Sequence, residues 1–98
     1  MKLADIGYFG TYGAVSTREV RVGNWSYFDR LGEDGDERIV YHYGTEMGRF
    51  ALADNVWYFV PTSVGWGSVS DQQGMNKILA NYGWRYRRNG GNPRYERI

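Results

Sequence analysis

Apolar and polar residues alternate along residues 17–28, which is the pattern of half-buried β-strands. The apolar positions fall two apart on either side of a Gly23-Asn24 break and are Val20, Val22, Trp25 and Tyr27. Because a period of two places successive side chains on opposite faces of a sheet, the pattern predicts two strands joined by a short turn. Residues 3–15 mix three glycines with large apolar side chains, and we expect a short strand and then a loose turn there.

Further strands are predicted between residues 38 and 60. Residues 38–43 are β-branched and aromatic, and residues 47–53 and 55–60 flank Asp54-Asn55, a dipeptide suited to a tight turn. Pro61 closes the last strand because it cannot donate a ladder hydrogen bond. These segments predict a three-stranded antiparallel meander.

One amphipathic helix is predicted over residues 70–82. Ser70 suits the N-cap, Asp71 lies at the positive end of the helix dipole, and Gln73 completes a capping box. A single apolar stripe at helical spacing consists of Met75, Ile78, Leu79 and Tyr82. Gly83 is placed to end the helix.

Composition indicates a single α+β domain. The 98 residues have room for one hydrophobic core, and 4 Trp, 9 Tyr and 4 Phe supply large side chains to fill it. With 42% hydrophobic and 23% charged residues, the chain has the balance of a folded globular protein. We therefore expect a small antiparallel sheet of four to six strands with one short helix packed on a face.

Several kinds of site are disfavoured by the residues present. The chain has no cysteine, so disulfides, a thiolate nucleophile and a cysteine-based zinc site are unavailable. No apolar run approaches the ~20 residues of a membrane span, and residues 1–5 lack the apolar stretch of a signal peptide. We expect a cytoplasmic protein that uses no cofactor and does not associate with a membrane.

The formal net charge of +1 conceals a basic C-terminal segment, residues 84–98. Its five arginines and one glutamate alternate with aromatic residues around Asn89-Gly90-Gly91, which predicts a hairpin with one aromatic and one cationic face, or else a tail. Trp66 is expected to be either a core side chain or an exposed binding anchor. The candidate partner-binding residues are therefore Trp66, Trp84, Arg85, Tyr86, Arg87, Arg88, Arg94 and Tyr95.

Three other features point less clearly to chemistry. The single histidine, His42, would need a partner such as Glu46 or Asp54 to act as a base or metal ligand, and a packed strand histidine is the better interpretation. The acids of residues 33–37 lack the spacing of a calcium loop and indicate an exposed hairpin turn or a contact to a basic partner; they are Glu33, Asp34, Asp36 and Glu37. Residues 62–70 lead into a helix start that could meet an anion, but they lack the ending of a P-loop and indicate a strand-to-helix connection.

Three runs of the chain resemble a family of small bacteriophage proteins. They are Tyr41-His42-Tyr43-Gly44-Thr45-Glu46-Met47-Gly48-Arg49-Phe50, then Trp57-Tyr58-Phe59-Val60, then Ser68-Val69-Ser70-Asp71-Gln72-Gln73-Gly74-Met75-Asn76-Lys77. In that family a Tyr-Gly-Thr strand, a second strand and a serine-rich helix start occur in this order. The resemblance covers residues 39–83 and implies a phage origin and action inside a bacterial host, and it supplies no catalytic residues. The excess of arginine over lysine fits a phage of a high-GC host such as an actinobacterium.

Two functions are consistent with these features. The first is a non-catalytic phage accessory protein that binds and modulates a host bacterial protein, because aromatic residues and arginine are enriched at protein interfaces. The alternative is nucleic-acid binding by the C-terminal segment, in which arginines would neutralise phosphates and aromatic rings would stack on bases. An enzyme ranks third, since it would need a pocket that joins His42 to an acid such as Glu46 or Asp54.

Overall fold

A computed structural model describes residues 1–9, 18–32 and 35–98. Within these residues there are seven strands, one α-helix and two short 3-10 segments. In chain order they are a 3-10 helix at Leu3–Gly7, strands β1 Val20–Val22, β2 Trp25–Arg30, β3 Glu37–His42, β4 Thr45–Ala53 and β5 Val56–Val60, helix α1 Val69–Ile78, strand β6 Trp84–Arg87, a 3-10 turn at Asn89–Gly91 and strand β7 Arg94–Arg97.

The first five strands form one antiparallel sheet in sequence order, and β6 and β7 form a separate two-stranded sheet. The predicted α+β class is confirmed, and the expected meander extends to five strands. Asp54 and Asn55, with φ of 51° and 64°, make the tight turn between β4 and β5. Residues 84–98 form the predicted hairpin, whose register pairs Arg85 with Glu96 and Tyr86 with Tyr95.

The core lies on one face of the five-stranded sheet, which we call the inner face. Helix α1 crosses it at Gly74, where a Cβ would lie 2.1 Å from the ring of Trp25, so only glycine allows this close approach. The β6–β7 hairpin covers the neighbouring part of the inner face, with Tyr95 5.0 Å from the ring centre of Phe59. Tyr95 also donates its hydroxyl to the Met47 carbonyl. The aromatic residues of the C-terminal segment thus complete the core.

Two expectations about local structure are wrong. Leu3–Gly7 is a 3-10 helix and not a strand, and residues 10–17 of the expected turn lie outside the described part of the chain. Helix α1 begins earlier than predicted, because Ser68 is the N-cap and its side chain accepts from the Asp71 N–H. The sequence holds two overlapping Ser-x-x-polar boxes, and only the first one is used as a cap. The helix also ends at Ile78, before Tyr82.

A fully buried ion pair fixes the N-terminal segment to the inner face. Asp29 and Arg38 are cross-strand partners on β2 and β3, and two parallel hydrogen bonds of 2.6 and 2.9 Å join their side chains. The Arg38 Nη1 also donates to the carbonyl of Ile6 at 3.0 Å. The guanidinium lies between the rings of Phe9 and Tyr27, 4.2 and 3.9 Å from their centres. Burial of this charge is therefore offset by bidentate pairing, backbone acceptors and aromatic faces.

We expect Arg38→Met to destabilise the protein by about 3–5 kcal/mol, because it removes the guanidinium from beside a carboxylate that stays buried. Arg30→Met is the matched control, since Arg30 pairs with Glu37 and its side chain is 58% exposed. An exposed pair of this kind contributes less than about 1 kcal/mol. Urea unfolding followed by tryptophan fluorescence measures both losses. Equal losses for the two variants would contradict the structural role of Arg38.

Candidate functional site

Trp66 protrudes from a tight loop between β5 and α1. The glycines on either side, Gly65 and Gly67, have φ of 59° and 75°, a left-handed backbone that favours glycine. A Cβ on Gly65 would lie 2.3 Å from the sulfur of Met47, so the loop closes tightly over the core. The Trp66 side chain points the other way and is 79% exposed. Of the two alternatives for this residue, the structure has the exposed one.

The exposed indole of Trp66 is nevertheless held in place from two sides. Its ring N–H donates to the Thr45 hydroxyl at 3.1 Å, and its backbone N–H donates to the Asp71 carboxylate at 3.0 Å. Asp71 belongs to the first turn of α1, and its carboxylate also accepts from the backbone of Ser68. The loop therefore presents a large aromatic ring to solvent with a defined orientation.

The Asp71 carboxylate also meets the single histidine. Its Oδ1 lies 2.5 Å from Nδ1 of His42, and both side chains are buried. Burial raises the pKa of Asp71, but hydrogen bonds from His42 and from the backbone of Ser68 and Trp66 outweigh it and hold that pKa below its usual range. Because an ionised carboxylate can only accept, Nδ1 of the imidazole carries the shared hydrogen.

His42 is a packed core residue in this arrangement. Its ring stacks on Trp25 with centres 4.1 Å apart and is 3% exposed. The acids considered as its partners lie elsewhere. Glu46 binds Arg49, and Asp54 lies in the turn at the far end of β4 from the Thr45 position that pairs with His42. The group of His42 with Glu46 or Asp54 that acid–base chemistry would require is not assembled.

The hairpin places its aromatic side chains on one face and most of its basic side chains on the other; Arg97, opposite Trp84, is the exception. Its outer face carries four charged residues, which are Arg85, Arg87, Arg94 and Glu96. The carboxylate of Glu96 lies within 3.6 Å of all three guanidiniums. Desolvation raises the pKa of Glu96, but the hydrogen bonds from Arg94 and Arg85 have the larger combined effect and hold that pKa below its usual range. Three arginines and one glutamate leave this face with a net positive charge.

The aromatic face of the hairpin is turned into the core. Tyr86 is buried and donates its hydroxyl to the Val64 carbonyl at 2.6 Å, and burial raises the pKa of Tyr95 strongly. Trp84 is half-buried beneath Arg97, whose guanidinium lies 4.6 Å from the centre of its ring. Of the three aromatic residues predicted to meet a partner, Tyr86 is therefore buried, whereas Trp84 and Tyr95 are packed against the core and partly exposed.

The hairpin contacts the Trp66 loop at Gly67. Arg88 donates from Nε to the Gly67 carbonyl at 2.9 Å, and Pro93 lies against the same glycine. We call Trp66, Arg87, Arg88 and Arg94 the Trp–Arg surface. Helix α1 holds the hairpin in this position, because the Asn76 amide makes two hydrogen bonds to the backbone of Tyr86. Five of the eight candidate residues are fully exposed, namely these four and Arg85.

The acidic segment at residues 33–37 falls at the connection between the antiparallel strands β2 and β3, where a hairpin turn is expected. Glu33 and Asp34 lie outside the described residues, whereas Glu37 begins β3 and binds Arg30 and Arg49. Among the residues that the structure describes, no group of three His, Asp or Glu side chains is arranged to hold a metal ion. At the helix start that follows residues 62–67, the Asp71 carboxylate accepts from the Ser68 N–H and the Ser68 hydroxyl accepts from the Asp71 N–H, so these two groups are not free to bind an anion.

Comparisons of the chain with protein-family models, with curated proteins and with solved structures gave no significant match. Helix α1 is too short to cross a bilayer, and the described residues include no other α-helix.

Sequence reasoning missed the residues that position Trp66. The sequence predicts that Asp71 belongs to the first turn of the helix, but it does not predict the hydrogen bond to His42. The two residues are 29 positions apart, and no local sequence pattern relates residues at that separation. The two glycines around Trp66 are a signal that was available. A large aromatic between two glycines cannot be buried by its immediate neighbours, and it indicates a protruding loop.

The structure predicts that Asp71→Asn destabilises the protein by about 1–3 kcal/mol at neutral pH, because the amide cannot accept all three hydrogen bonds. The native pKa of Asp71 lies below its ordinary value of 3.8, so its stabilising effect is complete above that pH and is lost as the pH falls through the native pKa. The difference in unfolding free energy between wild type and variant should therefore shrink below pH 3.8. Urea titrations at several pH values measure it, and a difference that does not change with pH would contradict an ionised Asp71.

Proposed function

We propose that this chain is a non-catalytic binding protein that docks on another protein through the Trp–Arg surface. The observation that carries the proposal is Trp66, whose ring is 79% exposed although both of its N–H groups are bonded within the chain. A solvent-exposed tryptophan forgoes hydrophobic stabilisation that burial would provide. A fixed orientation lowers the entropy cost of binding, which makes such a ring an efficient anchor.

The chemistry of the surface indicates its partner. Arg88 binds the backbone of Gly67, next to Trp66, and Arg87 and Arg94 are the chain neighbours of the two hairpin residues, Arg88 and Pro93, that contact this glycine. Glu96 pairs with Arg87 and Arg94 and offsets part of the positive charge. A complementary protein would offer an apolar pocket for the indole and acidic side chains around it. Nucleic acid fits less well, because Tyr86 is buried, Tyr95 packs on Phe59, and Arg97 lies over the ring of Trp84, which leaves the hairpin little aromatic surface to stack on bases.

The remaining parts of the proposal concern origin and mechanism. The resemblance of residues 39–83 to small phage proteins makes a bacterial host protein the expected partner, which an accessory protein of this kind would modulate by occupying one of its surfaces. Catalysis is not part of the proposal, since His42 is 3% exposed and bonded to Asp71, where it could not reach a substrate.

Trp66→Ala tests the anchor. We expect it to abolish capture of a host protein from a bacterial lysate and to change stability by no more than about 0.5 kcal/mol, since the side chain is exposed. Tyr8→Ala is the matched control, because Tyr8 is an exposed aromatic residue, at 70%, outside the Trp–Arg surface. Capture by the wild type should be unchanged when the lysate is first treated with nuclease, because the interaction does not require nucleic acid. No stoichiometric protein on the wild type, or equal capture by Trp66→Ala, would contradict the proposal.

Charge reversal at Arg87 tests the basic part of the surface. With the captured protein immobilised, Arg87→Glu should slow association several-fold at low salt and affect dissociation less, because exposed charges act mainly on encounter. Arg21→Glu on β1 is the control and should bind as the wild type does, since the Arg21 side chain is 76% exposed but lies outside this surface. Surface plasmon resonance at two salt concentrations measures both rates.

The same variants distinguish the alternative function. A single-stranded oligonucleotide that binds the wild type, loses affinity with Arg87→Glu and is indifferent to Trp66→Ala would favour nucleic-acid binding over the protein interaction. Equal effects of Arg21→Glu and Arg87→Glu on association with the captured protein would show that only overall charge matters, which contradicts a localised surface.

A further inference from the structure

Three of the four sheet edges in the described residues carry features that prevent another strand from pairing with them. β1 has only three residues, and the exposed Arg21 lies at its centre. β6 is covered by α1, whose Asn76 and Gln72 side chains bind the backbone of Tyr86 and Arg88. β7 is charged at Arg94, Glu96 and Arg97. Short length, charge and coverage are the usual protections of an edge strand.

β5 is the exception. Its five residues, Val-Trp-Tyr-Phe-Val, contain no charge and no proline, and the strand forms the outer edge of the larger sheet. Val56 and Tyr58 are 62% and 48% exposed. An uncharged, apolar edge of this length is a template for an added strand.

The register shows which backbone groups face outward. The two-residue turn makes Ala53 and Val56 a hydrogen-bonded pair, and hydrogen-bonded and non-bonded pairs then alternate along β4 and β5. Trp57 and Phe59 consequently turn their N–H and C=O groups away from β4. Among the residues that the structure describes, no hydrogen bond to these groups is made outside the ladder.

We propose that β5 pairs antiparallel with β5 of a second copy of this chain. The register that uses all five residues places Tyr58 opposite its own copy, on the two-fold axis. It also places Trp57 opposite Phe59 of the partner subunit, and both residues have outward-facing groups. Each such pair exchanges two hydrogen bonds, and the two-fold axis generates two pairs, so that the five-stranded sheets join into one continuous sheet.

The side chains support a second copy over an unrelated strand. Self-pairing places Val56 opposite Val60 on the outer face and Trp57 opposite Phe59 on the inner face, so every cross-strand contact is apolar or aromatic. No like charges meet, since β5 carries none. The two-fold axis at Tyr58 limits the assembly to two copies, because the pairing uses β5 of both chains and leaves neither β5 edge free to add a third chain.

Sedimentation equilibrium tests the proposal. The apparent mass should rise with concentration from 11.3 kDa towards twice that value. Tyr58→Lys should keep the protein at the mass of one chain, because it sets two lysines directly opposite each other on the axis. Leu31→Lys is the control and should dimerise as the wild type does, since Leu31 is similarly exposed, at 57%, and lies outside β5.

Hydrogen exchange on the wild type locates the contact without a mutation. The amide protons of Trp57 and Phe59 should exchange at least about tenfold more slowly when most of the protein is dimeric, because these protons are bonded only across the interface. The Tyr58 amide, bonded to β4 in both states, is the internal reference. A single-chain mass up to about 1 mM, a dimer without this protection, or a Tyr58→Lys variant that dimerises normally would each overturn the proposal.

Discussion

A buried positive charge is the constraint on which the rest of this small domain depends. The Arg38 guanidinium needs acceptors that water would otherwise supply, and it finds them in Asp29 and in the carbonyls of Ile6 and Tyr8. Removing the N-terminal segment from the sheet would break the two carbonyl bonds and take the Phe9 ring away from the guanidinium. The same segment contacts α1, and Tyr82, which follows the helix, donates its hydroxyl to the Gly7 carbonyl. The charge therefore couples strand pairing to helix packing.

A second buried carboxylate plays the corresponding part at the other end of the β2–β3 pair. Register places Asp29 opposite Arg38 at one end, and Trp25 opposite His42 at the other. There Asp71 reaches His42 from the helix and binds the loop backbone with its other oxygen. A charge that must be satisfied by three separate elements fixes their relative positions more closely than apolar contacts do, because hydrogen bonds depend on direction. The exposed tryptophan therefore depends on the core for its orientation.

The strands, the helix and the hairpin could be predicted from the sequence because each has a local period. The buried charges could not be predicted in this way, because the period of two was read from the apolar residues alone. Trp25 and Tyr27 are two residues apart on the inner face, and the next position at this spacing is Asp29. An acid at an inward-facing position of a strand is the sequence signal that indicates a buried ion pair. The helix start was misplaced by two residues because neighbouring serines offer the same cap. The link between His42 and Asp71 depends on tertiary packing, which no local pattern encodes.

The Trp–Arg surface is composite, and this limits where binding specificity can reside. The C-terminal segment supplies the arginines, but its own aromatic residues pack against the core. The exposed aromatic ring comes instead from the loop before α1, held by a carboxylate of the helix. An isolated peptide of residues 84–98 would keep the positive charge and lose both the anchor and the fold that orients it. Specific recognition would consequently require the folded domain, whereas the segment alone would retain only non-specific attraction to negative charge.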